Sequence, residues 1–139
     1  MKLLILAQHF WPEDVSGAVL ATQLAEDLAA SGLEVTFLTS APSYPEGVVF
    51  KGFKNKPFTV QNYRKVRVIR TWSYITKSKS FFARTLNFLT FSVCSLFAGI
   101  FAGSFDTIFS YSPPLTLGIT AYLLSRVKRA PWILRVEDL

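Results

Sequence analysis

The first thirty-two residues, MKLLILAQHFWPEDVSGAVLATQLAEDLAASG, constrain the fold more than any other stretch. Lys2 to Ala7 is a short apolar run beginning at the N-terminus, as suits a buried central strand. The ten residues after it break every regular pattern, with Pro12 inside and Ser16-Gly17 at the end. From Ala18 the apolar positions Val19, Leu20, Leu24, Ala25, Leu28 and Ala29 recur at helical spacing as far as Ser31. Gly32 stands where a helix C-cap belongs. Strand, glycine-containing loop and helix make half of a nucleotide-binding βαβ unit. The helix start presents unpaired backbone N–H groups and a partial positive charge to an anion over the loop. Gly17 has no Cβ to hold that anion away from the backbone. Neither GxGxxG nor GxxxxGK[ST] is present, which excludes the dinucleotide fingerprint and the P-loop.

The rest of the chain continues the alternation. Glu34 to Thr39 reads as a second parallel strand. Ser40 to Asn62 reads as a long irregular loop with Pro42, Pro45, Gly47, Gly52 and Pro57, whose aromatics Tyr44, Phe50, Phe53 and Phe58 imply packing on the body of the domain. KVRVIRT, residues 65–71, alternates basic and aliphatic residues, as in a strand with one polar face near a sheet edge. DTIFSY, residues 106–111, is a fourth strand. Pro114 then opens a helix from Leu115 to Val127, ended by Lys128 and Arg129. PWILRV, residues 131–136, is a fifth strand. Five strands with intervening helices predict an α/β, Rossmann-like open parallel sheet with helices on both faces. In a 3-2-1-4-5 order a ligand lies over the carboxyl ends of the first and fourth strands, between His9–Gly17 and Tyr111–Pro114.

Charge is distributed unevenly. The net charge is +6, yet no Asp or Glu falls between Glu46 and Asp106, where ten Lys and Arg residues lie. Such a field favours an anionic partner: nucleic acid, phospholipid headgroups or a phosphorylated substrate. Within the interval, Arg84 to Asp106 encloses an uncharged stretch about as long as a bilayer core is thick. Asn87, Thr90, Ser92 and Ser95 make it only moderately apolar, so it reads as a helix buried on the sheet or lying at a membrane surface, in preference to a spanning one. Ser95, Gly99 and Gly103 form a small-residue stripe suited to close backbone packing. Lys77, Lys79 and Arg84 are the residues expected to meet an anionic membrane or acceptor. Cys94, the single cysteine, rules out an internal disulfide and fits a reducing cytoplasm; no secretory h-region follows the first apolar run.

One His and one Cys supply neither a Cys/His pair nor a zinc cluster, so no metal is expected. His9 lies in the first loop, where a contact to substrate competes with a structural role. Glu13 and Asp14 suit the following helix start electrostatically or a substrate hydroxyl, and Glu137 and Asp138 end the fifth strand at the ligand edge. Trp11, Trp72 and Trp132 read as packing residues.

LLILAQHFWPEDVSGA, GLEVTFLTSAPSYPEG, KVRVIR, SYSPPLTLGITAYLL and RAPWILRVEDL follow one another in this order. In these segments the chain resembles the N-terminal half of GT-B glycosyltransferases of family 4, in the bacterial exopolysaccharide and O-antigen branch that includes colanic-acid glycosyltransferases. The resemblance covers essentially all of residues 1–139, as one acceptor-side domain. It implies a C-terminal donor-binding domain, carrying a Glu-x7-Glu motif, that this sequence does not contain. It also implies retaining transfer of a sugar from UDP or GDP to a polyprenyl-diphosphate or other saccharide acceptor, on the inner face of the cytoplasmic membrane. No nucleic acid and no cofactor besides the nucleotide-sugar donor are implied. By the same resemblance Ser16 and Gly17 face the donor diphosphate and Asp138 matches the family's pattern; from their places at the ligand edge Asp138, Glu137 and His9 are the catalytic candidates, and Ser112 joins Lys77, Lys79 and Arg84 on the acceptor side. Many relatives have glycine at the Ser16 position and a basic residue at the Glu137 position. Two other classes compete: a nucleotide-dependent oxidoreductase, disfavoured by the missing GxGxxG, and a non-enzymatic membrane-surface module.

Overall fold

The computed structural model describes residues 1–44, 46–112 and 116–136. The apolar N-terminal run forms β1 (Lys2–Leu6), whose Leu4, Ile5 and Leu6 are wholly buried. It is followed by α1 (Ser16–Ala30), β2 (Glu34–Ser40), β3 (Thr59–Tyr63) and β4 (Val66–Thr71). Next come α2 (Phe81–Phe101), β5 (Thr107–Ser112), α3 (Thr116–Lys128) and β6 (Trp132–Val136). The six strands form one sheet in the order β3-β4-β2-β1-β5-β6, parallel throughout except for the β3–β4 pair. With β3 set aside this is the 3-2-1-4-5 order, and the Rossmann-like fold class is borne out.

β3 is the correction. The last part of the expected loop pairs antiparallel with β4, Tyr63 opposite Val66. Arg64 and Lys65 between them have φ of 46° and 68°. Two consecutive left-handed residues make the tight turn that matches strand twist, a turn normally marked by Asn-Gly; Arg-Lys gives no such mark. β3 takes the edge, so β4 is the second strand of the sheet, near the edge as its alternation suggested.

α1 begins earlier than the periodicity implied, and Ser16 and Gly17 are its first two residues instead of the end of a loop. It stops at Gly32, whose φ of 104° lets the Leu33 N–H turn back to the Leu28 carbonyl. Its buried residues are small, Ala18, Ala21, Ala25 and Ala29, and they close over Ile5, Phe37, Val66 and Val68 on one face of the sheet.

α2 and α3 cover the other face, over Leu4, Leu6, Leu38, Ile69 and Ile108. Ser80 caps α2, its Oγ accepting from the Ala83 N–H at 3.2 Å. The small-residue stripe brings the two helices together. Ser95 is fully buried, and a Cβ on Gly99 would lie 2.7 Å from Leu124 Cδ1 on α3. Gly103 differs from the other two, lying past the helix end with φ of 115°. Ser92 adds a second tie, its Oγ 2.7 Å from Thr116 Oγ1 and its carbonyl accepting from Thr120 Oγ1 at 2.8 Å.

Candidate functional site

A cleft of about 550 Å³ opens at the carboxyl edge of the sheet. Residues after β1 (Gln8, His9), after β2 (Ser43, Tyr44) and after β4 (Tyr74 to Thr76) line it, and Tyr111 of β5 reaches it. Two helix starts complete the walls, Val15 and Gly17 at α1 and Ala83, Arg84, Asn87 and Phe88 at α2. The position over the strand ends is as expected, but the cleft leans toward β2, β4 and α2 more than toward β5.

The start of α1 has no side-chain cap and no acidic residue in its first turn, so its first N–H groups are available on the cleft side, with Asp14 just ahead of the Val15 N-cap. Lys79 and Arg84 line the same cleft, and none of its described lining residues is Asp or Glu. The electrostatics therefore select an anion. Gly17 is open, with nothing within 4 Å of where its Cβ would be. Ser16 is exposed and does not line the cleft.

His9 is at the cleft, and its Nδ1 lies 3.0 Å from Glu13 Oε1, with its ring beside Tyr44 at 5.0 Å. An ionised carboxylate only accepts, so Nδ1 carries the proton and Nε2 is the nitrogen that Glu13 leaves unengaged. Glu13 does not line the cleft. It is buried, and its Oε2 accepts from the Ser43 N–H at 3.0 Å and the Tyr44 N–H at 2.7 Å, tying the first loop to the second. Lys77 is exposed beside the cleft and not among its lining residues. Ser112, the other expected acceptor-side residue, is fully buried at the end of β5 and does not line the cleft. Glu137 and Asp138 lie outside the described residues, as does Pro114.

Three cleft-lining residues, Gln8, Gly47 and Asn87, and the buried Arg70 behind them carried no recognised signal. Gln8 donates from Nε2 to Asn87 Oδ1, and Asn87 Nδ2 donates to the Tyr74 carbonyl at 2.8 Å, so a side-chain relay joins β1, α2 and the loop after β4. Gly47, with φ of 76°, lets its loop lie directly on the Thr76 carbonyl, where any Cβ would collide. Arg70 is the fourth. Buried at the end of β4, it donates to the carbonyls of Ser40 and Trp11 and, at 2.9 Å, to Gln61 Oε1, with its guanidinium over the Phe53 ring at 5.1 Å. Burial lowers its pKa to about 10, partly opposed by the Glu13 carboxylate. Trp11 stacks on Tyr63 at 4.4 Å and meets Phe53 edge-on, so Phe53 packs as expected, whereas Tyr44 and Phe58 of the same loop are exposed.

No protein-family model matches the chain. It is similar, at 26% identity over 99% of its length, to WcaI of Escherichia coli, a glycosyl transferase assigned to colanic acid biosynthesis. Among solved structures it superposes on a sucrose-phosphate synthase from Thermosynechococcus elongatus with a TM-score of 0.55, at 17% identity over 96% of the chain. A C-terminal domain of a Pyrococcus furiosus hydrogenase gives 0.56 at 13% identity, again over 96% of the chain. These structural likenesses carry the fold and not the chemistry. The chain spans about a third of WcaI and of the synthase. The synthase likeness shows a shared fold, and the sequence likeness to WcaI runs along nearly the whole of this chain.

Proposed function

We propose that this chain is the N-terminal, acceptor-side part of a retaining, hexosyl-transferring family 4 glycosyltransferase that works in cell-surface polysaccharide synthesis. The donor is a UDP- or GDP-sugar, the acceptor a polyprenyl-diphosphate saccharide, and no further cofactor takes part. A second domain, outside this chain, supplies most of the donor site. The observation that carries the reading is the cleft: an uncapped α1 start, Lys79 and Arg84 converge there, and no carboxylate is among its described lining residues. Both substrates bear a diphosphate, and such a surface favours that group. The likeness to WcaI along nearly the whole chain supports the sugar-transfer assignment. In this reading His9 offers Nε2 to a substrate hydroxyl while Glu13 fixes the ring.

The chain alone has one wall of the reaction site, and orienting two substrates around a developing charge needs both walls. Incubated with UDP- and GDP-sugars and a polyprenyl-diphosphate saccharide, the 139-residue chain binds nucleotide-sugar weakly by calorimetry and forms no product. A coding frame continuing into a Glu-x7-Glu domain yields product with the donor's anomeric configuration. Turnover by the chain alone, with no complementing half, would overturn the two-domain reading.

A further inference from the structure

The outer side of α2 is unlike any other surface of the molecule. Phe82, Leu89, Val93, Phe97 and Ile100, with half-buried Leu86 between the first two, recur at helical spacing, and the five are exposed away from the sheet. Phe82 is 72% exposed, Val93 54% and Phe97 58%. At 1.5 Å per residue the stripe runs roughly 27 Å. The neighbouring α3 extends it sideways with exposed Ile119, Leu123 and Val127. A core helix of this composition is mostly covered, whereas only 28% of the most apolar part of α2 is buried.

We propose that the outer faces of α2 and α3 form a docking surface for an anionic lipid bilayer, with α2 lying in the plane of the membrane. Charge decides between a bilayer and a second copy of the chain. Neither α2 nor α3 contains an Asp or Glu, while Arg84, Arg126 and Lys128 belong to these helices and Lys77 and Lys79 precede α2. A second copy seated on this face would set cations against cations, whereas an anionic leaflet complements them and receives the apolar stripe. Spanning is excluded by packing: Phe91, Ser92, Ser95, Ala98 and Gly99 of the same helix are buried against the sheet and α3, and could leave only if the fold opened. Phe82 begins the stripe in the same turns whose other side, Ala83, Arg84 and Asn87, lines the cleft. Docking therefore sets the mouth of the cleft at the level of the phosphate headgroups. This goes beyond the sugar-transfer reading and stands whether or not that reading holds.

The test uses the 139-residue chain and vesicles of phosphatidylcholine with or without phosphatidylglycerol, with no donor or acceptor present. The chain co-sediments with the phosphatidylglycerol vesicles, binds them several-fold less at high salt, and is released by alkaline carbonate. Replacing Phe82, Leu89, Val93 and Phe97 together by Ser reduces partitioning by at least about tenfold, since each removes an inserting side chain. Leu20→Ser with Val60→Ser, exposed apolar residues elsewhere, leaves it unchanged. Should the fourfold variant misfold, Phe97→Trp and Leu20→Trp keep the surfaces apolar. Brominated lipid then quenches the first indole and spares the second. Absence of vesicle binding, self-association abolished by the four substitutions, or resistance to carbonate would each overturn the proposal.

Discussion

α1 and α2 both pack inward through small residues, Ala18, Ala21 and Ala25 on α1 and Ser95, Ala98 and Gly99 on α2, yet their outer faces differ completely. α1 shows Gln23, Asp27 and Ala30 to solvent along with Leu20, an ordinary water-facing mixture. α2 shows a stripe of five exposed apolar side chains, Phe82, Leu89, Val93, Phe97 and Ile100, and carries no charge after Arg84. The inner face of a helix is set by the sheet it covers, and both helices obey the same rule there. The outer face reports what lies beyond the domain. On the α1 side that is water, and on the α2 side it is something apolar.

The two layers are also fastened differently, by two arginines of β4 that point to opposite faces. Arg70, on the α1 side, is buried and serves Ser40, Trp11 and Gln61 at once. Arg67, on the α2 side, is exposed in part and serves Thr36 Oγ1 at 3.1 Å and the Ala102 carbonyl at 2.6 Å. Arg70→Met strands three acceptors and is expected to cost about 3 kcal/mol, against about 1 kcal/mol for Arg67→Met, whose acceptors water can reach. Urea unfolding of the two variants measures the difference. Equal losses would mean that the layers are held alike.

Close packing distinguishes the layers next. Gly99 is pressed against Leu124, which is fully buried. Gly99→Val is expected to destabilise by about 1–3 kcal/mol through overpacking. Combining it with Leu124→Ala should return part of that loss, because the two residues share one volume. A strictly additive double variant would detach the effect from the α2–α3 contact.

Most of this layering was legible in the sequence, and the exceptions have physical causes. The parallel strands announced themselves through β-branched and apolar runs, and the stripe of Ser95 and Gly99 gave away a tight helix contact. β3 went unseen because Arg64-Lys65 makes a left-handed turn without the residues that usually favour one. Arg70 was taken for part of a polar strand face. Period-2 alternation places it three residues from Arg67 and so on the opposite face, but nothing in one sequence says that its head is buried. In the site, His9, Gly17, Lys79 and Arg84 line one cleft, because they follow strands or start helices at the carboxyl edge. The relay from Gln8 through Asn87 links residues 79 positions apart, a separation that periodicity does not see.

The smallest effect on stability, and the most direct on the site, is expected at Gly17. An invariant need for glycine would require a left-handed φ or a crowded Cβ, and Gly17 has neither: it is the second residue of α1 and its Cβ position is open. Gly17→Val should therefore fold normally and change stability by no more than about 0.5 kcal/mol, in contrast to Gly99→Val on α2. What the new side chain would occupy is the space beside the uncapped N–H groups, on the wall of the cleft. If a diphosphate sits there, pyrophosphate and nucleotide-sugar binding fall sharply while circular dichroism and the unfolding midpoint stay put. In a two-domain enzyme the same substitution lowers kcat/KM. Unchanged anion affinity in a folded Gly17→Val chain would take the diphosphate away from α1 and leave Lys79 and Arg84, at the start of α2, as the anion-binding wall.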